Sequence, residues 1–194
     1  MTINPVDKGA LRASALASRQ QLSAVSRELY STRIQEHLVA HLNAQPERSD
    51  MILTYRAMPS EVNTDTLFKM PERRFFAPVT HHHEHMEWHE VSAESSWSRG
   101  VFGILEPDGN SIWPGGSGIT TLLCPLTAFD RQGNRLGMGK GCFDFWLSQH
   151  RKDIYQVIGL AFSCQEVAKV PAEGHDMPMD FVITEEGVIR CPKR

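Results

Sequence analysis

The chain has 194 residues, of which 41% are hydrophobic, and it carries a formal net charge of −3. This length and apolar fraction fit a single domain, spanning residues 1–194, that encloses a core. The small negative charge disfavours a nucleic-acid partner, because binding phosphate backbones needs Lys and Arg in excess on one patch. No apolar run approaches the roughly 18 residues of a membrane helix, so we expect no membrane partner.

The cysteines indicate a reducing compartment. Their spacing contains no CxxC pair and fits neither a disulfide framework nor a zinc site. We expect reduced thiols in a cytoplasmic protein, since the first residues also lack the charged start and apolar stretch of a signal peptide. The cysteines are Cys124, Cys142, Cys164 and Cys191.

We expect this protein to be a monomer or a weak homodimer.

The first half of the chain predicts two helices, followed by strands that alternate with short helical segments. Asp7 is suited to cap the first helix, which begins near Lys8, and Ser23 is suited to cap the second. "NAQPERSD" (43–50) ends the second helix. Apolar residues recur at helical spacing along that helix at Leu29, Ile34, Leu38 and Leu42. The next predicted elements are a strand at 51–55, a loop at 57–64, a helical turn at 65–70 and a strand at 73–79.

The second half continues the alternation. "TTLLCPLTAF" (120–129) is apolar enough to form one central strand that is covered on both faces. The other predicted elements are a half-buried strand at 85–91, a turn closing 101–109, a helix at 142–151, a strand at 155–162, a short helix at 164–170 and a hairpin at 180–189. Such alternation predicts a single three-layer α/β/α domain with a mostly parallel central sheet.

A glycine-rich loop lies between the apolar run and the next helix. Glycine recurs at alternate positions in 137–141, with Lys140 among them. A strand, glycines and then a helix are typical of a loop whose backbone N–H groups converge on an anion. Arg135 and Lys140 can neutralise a polyphosphate, and Asp144 in the first helical turn can hold Mg²⁺. Spacing alone leaves a plain tight turn open, since the Walker A and dinucleotide-binding patterns are absent.

Five short blocks in chain order make the interpretation more specific. They are "KGALRASALASRQQLS", "AMPSEVNT", "GVFGILEP", "PLTAFDRQGNRLGMGKGCFDFWL" and "VPAEGHDMPMDFVITEEGVI". In this order they resemble the motifs of the 5-formyltetrahydrofolate cyclo-ligase (5,10-methenyltetrahydrofolate synthetase) family. The resemblance implies an ATP-dependent C–N ligase that converts 5-formyltetrahydrofolate to 5,10-methenyltetrahydrofolate and releases ADP and phosphate. A chance match of the glycine loop would not explain the K-x-x-L-R helix far before it.

The resemblance also implies site residues. The catalytic pair is Lys140 and Arg135, and the carboxylate for Mg²⁺ is Asp144, so the implied cofactors are ATP and Mg²⁺. Glu61 is expected to accept hydrogen bonds from the polar edge of the pterin. The implied folate contacts are Glu61, Met86, Trp88 and Phe143. The implied ATP contacts are Lys8, Arg12, Arg135, Leu136, Gly137, Met138, Gly139, Lys140 and Gly141.

The chain departs from the family pattern just after the glycine loop. Where the family typically has G-Y-Y-D-R, this chain has "GCFDF" (141–145) and so lacks two phenol hydroxyls and an arginine. A folate- or nucleotide-binding relative without turnover is therefore the alternative function. Cys142 near a helix N-terminus is a weak candidate nucleophile, because no adjacent base is evident.

"HHHEHMEWH" (81–89) contains five histidines and two glutamates. In an extended segment, His81, His83 and His85 share one face and can bind a transition metal. In the family this stretch is a variable loop before a strand that contacts the folate. We expect a solvated histidine-rich loop with adventitious metal affinity.

Overall fold

The computed structural model describes residues 7–45, 49–70, 72–116, 119–174 and 176–193. Residues 46–48 of the predicted helix break lie outside the described residues. Both predicted helix caps are confirmed, since Asp7 accepts a hydrogen bond from the Gly9 N–H and Ser23 accepts one from the Ser26 N–H. None of the helices described has the combination of length and apolar character that a membrane crossing requires.

The elements follow the predicted order closely. The helices described are α1 (Lys8–Gln21), α2 (Ala24–Ala44) and α3 (Cys142–His150). The strands described are β1 (Met51–Leu53), β2 (Arg74–His82), β3 (His85–Val91), β4 (Trp97–Arg99), β5 (Leu105–Pro107), β6 (Thr120–Pro125), β7 (Ala128–Phe129), β8 (Arg135–Leu136), β9 (Gln156–Leu160), β10 (Phe181–Thr184) and β11 (Gly187–Arg190). Short 3₁₀ turns cover Leu67–Lys69, Arg151–Asp153 and Ser163–Gln165.

The central sheet has seven strands in the order β11-β10-β9-β6-β1-β2-β3. The five inner strands are parallel, and β3 and β11 add antiparallel edges. Successive side chains of β1 point to opposite faces, with Ile52 in the core beneath α2 and Leu53 in the core beneath α3. Helices therefore cover both faces of a mostly parallel sheet, which confirms the predicted three-layer class.

The segment 120–129 is not one strand, so that prediction was wrong. Strand β6 ends at Pro125, and a proline has no N–H with which to continue a ladder. The chain turns, and β7 pairs with β8 as a small antiparallel hairpin. Asp130 closes its turn by accepting hydrogen bonds from the backbone N–H groups of Gln132 and Asn134.

The predicted helix at 164–170 was also wrong, because only the 3₁₀ turn Ser163–Gln165 forms. The following backbone N–H groups bond elsewhere: Val167 donates to the Phe129 carbonyl, and Val170 donates to the Asp130 carboxylate. These two bonds tie the segment to the β7–β8 hairpin, so Val167 and Val170 do not donate to the carbonyls of a preceding helical turn.

The predicted loop around the histidines is a β-hairpin. His81 and His82 belong to β2, and His85 and His89 belong to β3. On α2, Leu29 is 49% exposed, so it does not share the buried face of Ile34 and Leu38.

Candidate active site

A cavity of about 520 Å³ opens at the carboxyl ends of the parallel strands. Tyr55 follows β1, Thr80 lies near the end of β2 and Leu126 follows β6, and all three line this cavity. In open α/β sheets, ligands bind at the carboxyl ends of the strands, in the crevice where the strand order reverses. The glycine loop and Glu61 both reach this edge.

The glycine loop 137–141 connects β8 to α3 along one wall of the cavity. Gly139 and Gly141 have φ values of 93° and 73°, a region that side-chain-bearing residues rarely adopt. Gly141 is the N-cap of α3 and offers no capping side chain, so the N–H groups of the first turn are left for another acceptor. The loop thus presents helix N-terminal donors to the cavity, as an anion site requires.

Helix α1 packs against this loop although it lies far away in sequence. The Arg12 Nε donates a hydrogen bond to the Gly137 carbonyl at 2.8 Å, and the guanidinium lies beside Gly139. Lys8 also lines the cavity, where its Nζ lies 3.0 Å from Glu173 and 3.3 Å from Asp176. Burial lowers the pKa of Lys8, but the two carboxylates outweigh it and raise the pKa, so Lys8 remains a cation. The structure brings together the two predicted amino-terminal contacts and the loop.

Arg135 lies beneath the loop with 4% of its side chain exposed. Its Nη1 donates to the Met177 carbonyl, and its Nη2 donates to Asp144 Oδ1 at 2.7 Å. Asp144 Oδ1 also accepts a hydrogen bond from the Met177 N–H at 3.4 Å. The predicted catalytic cation and the predicted metal carboxylate are therefore ion-paired.

Lys140 differs from Arg135 in its surroundings. It is exposed on the loop, and its Nζ lies 5.6 Å from the centre of the Phe102 ring, within the range of a cation–π contact. Phe102 stands in the segment between β4 and β5 and also lines the cavity. Lys140 therefore lies where the loop and this segment approach each other, and its side chain can contact a ligand that enters the cavity between them.

Glu61 lies in the loop after β1, where its Oε2 accepts a hydrogen bond from the Met58 N–H at 2.9 Å. Burial raises the pKa of Glu61, while this hydrogen bond and the nearby Arg19 partly offset the effect. Burial also raises the pKa of Tyr55 well above its ordinary value, so its phenol stays protonated. Among the described residues, neither the Tyr55 hydroxyl nor the Arg19 Nε has a hydrogen-bond partner.

The predicted folate residues form two layers. Met86 and Phe143 line the cavity, whereas Trp88 lies behind them in the core and is only 1% exposed. The Trp88 and Phe143 rings meet edge to face with centroids 5.7 Å apart. Trp88 therefore supports the wall through Phe143 instead of lining it.

Sequence reasoning missed several lining residues although the quoted blocks contained most of them. They are Tyr55, Arg56, Met58, Thr80, Phe102, Ile104, Leu105 and Glu106. "AMPSEVNT" includes Met58, and "GVFGILEP" supplies the exposed apolar lip Phe102, Ile104 and Leu105. Apolar residues that stay exposed around a cavity rim are a signal for ligand contact that composition alone does not give.

Cys142 begins α3 and is half-buried against the cavity. Burial raises the pKa of its thiol, although the backbone N–H and Lys140 act in the opposite direction. The thiol therefore stays neutral near pH 7, which disfavours a nucleophilic role. The four cysteines are all free thiols, as predicted.

An anion loop beside an apolar chamber at the carboxyl edge of a parallel sheet is typical of α/β enzymes that bind a phosphate-bearing ligand beside an apolar one. The model of the 5-formyltetrahydrofolate cyclo-ligase family matches residues 4–185. The chain therefore belongs to this family of ATP-dependent ligases.

Relatives and solved structures agree with this assignment. A 5-formyltetrahydrofolate cyclo-ligase of Haemophilus influenzae is 26% identical and aligns over 91% of this chain and 97% of its own length. The Mus musculus cyclo-ligase is 28% identical over 96% and 97% of the two chains. An NMR structure of the Aquifex aeolicus 5,10-methenyltetrahydrofolate synthetase superposes with a TM-score of 0.75 and 27% identity, covering 96% of this chain and 94% of that one.

Proposed function

We propose that this protein cyclises 5-formyltetrahydrofolate to 5,10-methenyltetrahydrofolate with ATP, releasing ADP and phosphate, through phosphorylation of the formyl oxygen. One observation carries the proposal: a single cavity joins the glycine loop to a chamber that holds Glu61, Met86 and Phe143. A formyl group bound in the chamber faces the phosphates held by the loop. Family membership supports the reaction, and the shared cavity supports the proposal that ATP and the folate bind side by side.

The chemical difficulty is that an N-formyl group is an amide. Its carbon resists attack, and its oxygen leaves poorly. When the formyl oxygen attacks the γ-phosphorus, ADP departs and the oxygen becomes part of a phosphate ester. N10 then attacks the formyl carbon, its proton passes to solvent, and the C–O bond breaks to release phosphate. Such a sequence depends mainly on positioning and charge neutralisation.

The chain's own residues suit these tasks. The N–H groups at the start of α3 donate to the phosphates, and Lys140 neutralises charge that develops on the transferred group. Arg12 and Arg135 hold the loop in shape through the Gly137 carbonyl and Asp144. Glu61 holds the polar edge of the pterin, and the apolar wall excludes water from the reacting centre.

Asp144 fits a magnesium ion. Its Oδ1 is taken by Arg135 and the Met177 N–H, while its Oδ2 accepts no hydrogen bond from the residues described, and the residue lines the cavity. One carboxylate oxygen together with nucleotide phosphates and waters is a usual Mg²⁺ environment. When bound there, Mg²⁺ would neutralise negative charge on the nucleotide phosphates.

The test is a turnover assay on the purified full chain. Absorbance growth from the methenyl product and release of ADP should appear together, and both should require 5-formyltetrahydrofolate, ATP and Mg²⁺. A folded protein that binds the folate yet forms neither product would instead establish the binding-only alternative raised by Cys142, Phe143 and Phe145. Inorganic pyrophosphate in place of phosphate among the products would contradict phosphorylation of the formyl oxygen by the γ-phosphoryl group.

A further inference from the structure

The free end of the β2–β3 hairpin carries a cluster of histidines on the face turned away from the cavity. The Thr80–Met86 pair lines the cavity, so the alternate positions Glu87 and His85 point outward. The register shifts between Thr80 and His82, which leaves His81 as an extra residue at a bulge. Bulges often re-aim a side chain beside a site, and here the His81 and His85 rings lie with centroids 4.6 Å apart.

The spacing of the donor atoms matches a metal ion. The His81 Nε2 lies 3.5 Å from Glu87 Oε2, and the His85 Nε2 lies 3.4 Å from Glu87 Oε1. One donor atom from each of the three residues lies within 4.8 Å of the others. Ligands bound tetrahedrally at about 2.0–2.1 Å from zinc stand roughly 3.4 Å apart. Each histidine nitrogen lies at about this distance from one of the two Glu87 oxygens, so a small rotation of the exposed side chains can bring the three donors around one ion.

His89 brings a third imidazole to the same carboxylate. Its Nδ1 lies within hydrogen-bond reach of the Gly109 carbonyl, which holds the ring in place. Its Nε2 lies 3.5 Å from Glu87 Oε2. Nitrogens from His81, His85 and His89 therefore converge on Glu87.

We propose that His81, His85 and Glu87 bind one zinc ion, which clamps the free end of the β2–β3 hairpin. Two imidazoles and one carboxylate are a typical zinc donor set and leave a fourth position for water. The ligand side chains are between about one-third and one-half exposed, so the ion can enter from solvent. The site joins the two strands across the bulge and thereby fixes the outer edge of the sheet.

The test titrates zinc into the untagged full chain after chelator treatment, with a chromophoric zinc indicator as competitor. Wild-type protein should bind one zinc ion per chain. Zinc should bind at least about tenfold more weakly to each of three variants, His81→Ala, His85→Ala and Glu87→Gln. Mutating even a residue that only hydrogen-bonds to a metal ligand lowers metal affinity by this much. The matched control is His83→Ala, because His83 lies in the same hairpin, is more exposed than His85 and is outside the cluster. Its affinity should stay within about twofold of wild type.

Amide hydrogen exchange of β2 and β3 gives a readout besides affinity. Zinc should slow exchange in these strands of the wild type and leave exchange in His85→Ala unchanged, with both proteins shown to be folded by circular dichroism. Equal loss of zinc affinity in His83→Ala and His85→Ala would overturn the proposal, because it would indicate a diffuse histidine patch. Unaltered affinity in Glu87→Gln would overturn it as well.

Discussion

Arg135 and Asp144 form an ion pair beneath the glycine loop, with 2.7 Å between Nη2 and Oδ1. The Arg135 side chain is 4% exposed and is also bonded to the Met177 carbonyl, so its charge is fixed in place. Lys140 is exposed on the same loop. The two cations therefore contribute differently: Arg135 maintains the shape of the loop, and Lys140 is available to the phosphates.

Replacing Lys140 with alanine should raise the KM for ATP about tenfold and lower kcat, because one charged contact to polyphosphate is lost. The melting temperature should stay within about 1 °C of wild type, because an exposed side chain contributes little to stability. Initial-rate kinetics and thermal unfolding measure both effects. An unchanged KM for ATP together with unchanged kcat would mean that Lys140 does not face the nucleotide.

Arg135→Ala is the matched comparison and should impair both binding and stability. It removes bonds to the Met177 carbonyl and to Asp144 and leaves the carboxylate without its cation. Charged hydrogen bonds contribute about 1.5–3 kcal/mol each, so the melting temperature should fall by several degrees. A variant as stable as Lys140→Ala would show that the ion pair does not hold the loop.

Asp144→Asn should raise the Mg²⁺ concentration needed for half-maximal activity at saturating ATP. The amide keeps the shape of the side chain and an oxygen for Arg135, but it loses the negative charge that favours the ion. The measurement is a Mg²⁺ titration of initial rate in wild type and variant. An identical Mg²⁺ dependence would place the metal carboxylate elsewhere.

Glu61→Gln should lower kcat/KM by about ten- to a hundredfold, since a charged hydrogen bond to the pterin becomes a neutral one. The amide can still accept from the Met58 N–H, so the loop should keep its shape. Steady-state kinetics with 5-formyltetrahydrofolate as the varied substrate provide the measurement. An effect confined to the KM for ATP would contradict a folate role.

Glu61→Gln should also stabilise the ligand-free protein, and the gain in stability over wild type should increase as pH rises. Burial raises the pKa of Glu61 in the folded state, so stability due to this group is full below its ordinary pKa of 4.5 and falls as pH rises through the folded-state value. Glutamine removes this dependence. The difference in melting temperature between variant and wild type should therefore grow from pH 4 to pH 7, and a constant difference would contradict the raised pKa.

The sequence predicted those parts of the fold that depend on local patterns. Asp7 and Ser23 cap the helices where expected, and the predicted hairpin at 180–189 forms as β10 and β11. The errors came from distant partners: Val167 and Val170 donate to the β7–β8 hairpin and not to a helix, which no local pattern records. The break after Pro125 was readable in principle, because proline interrupts a ladder.

In the candidate site too, some features could be predicted from sequence motifs and others depend on how distant segments pack. The family resemblance predicted that Lys8, Arg12 and the glycine loop contact the same nucleotide. In the structure all three line one cavity. The ion pair between Arg135 and Asp144 was not predicted, because the distance between the two side chains depends on the direction in which α3 begins after the loop. Likewise Met86 and Trp88 lie two residues apart on the same face of β3, and sequence alone does not show that α3 packs over Trp88 while Met86 reaches the cavity.

The departure at Cys142 offers a test of how the chain has adapted. Cys142 is half-buried, lines the cavity and packs against the core beside Phe143. A tyrosine there can extend its ring into the cavity of about 520 Å³ and offer its hydroxyl to the folate. Cys142→Tyr should therefore lower the KM for the folate two- to tenfold relative to Cys142→Phe, since one hydrogen bond contributes about 0.5–1.5 kcal/mol.

Cys142→Phe is the matched control because it adds the same ring without the hydroxyl. Steady-state kinetics separate the two effects: a gain common to both variants reflects packing, and a gain in Cys142→Tyr alone reflects the hydroxyl. If both variants raise the folate KM equally, the cavity has closed around the smaller thiol, and the added ring clashes with Phe143 or its neighbours. That outcome would mean that the present chain holds the folate through its apolar wall and Glu61, without the contact that the family's tyrosine would make.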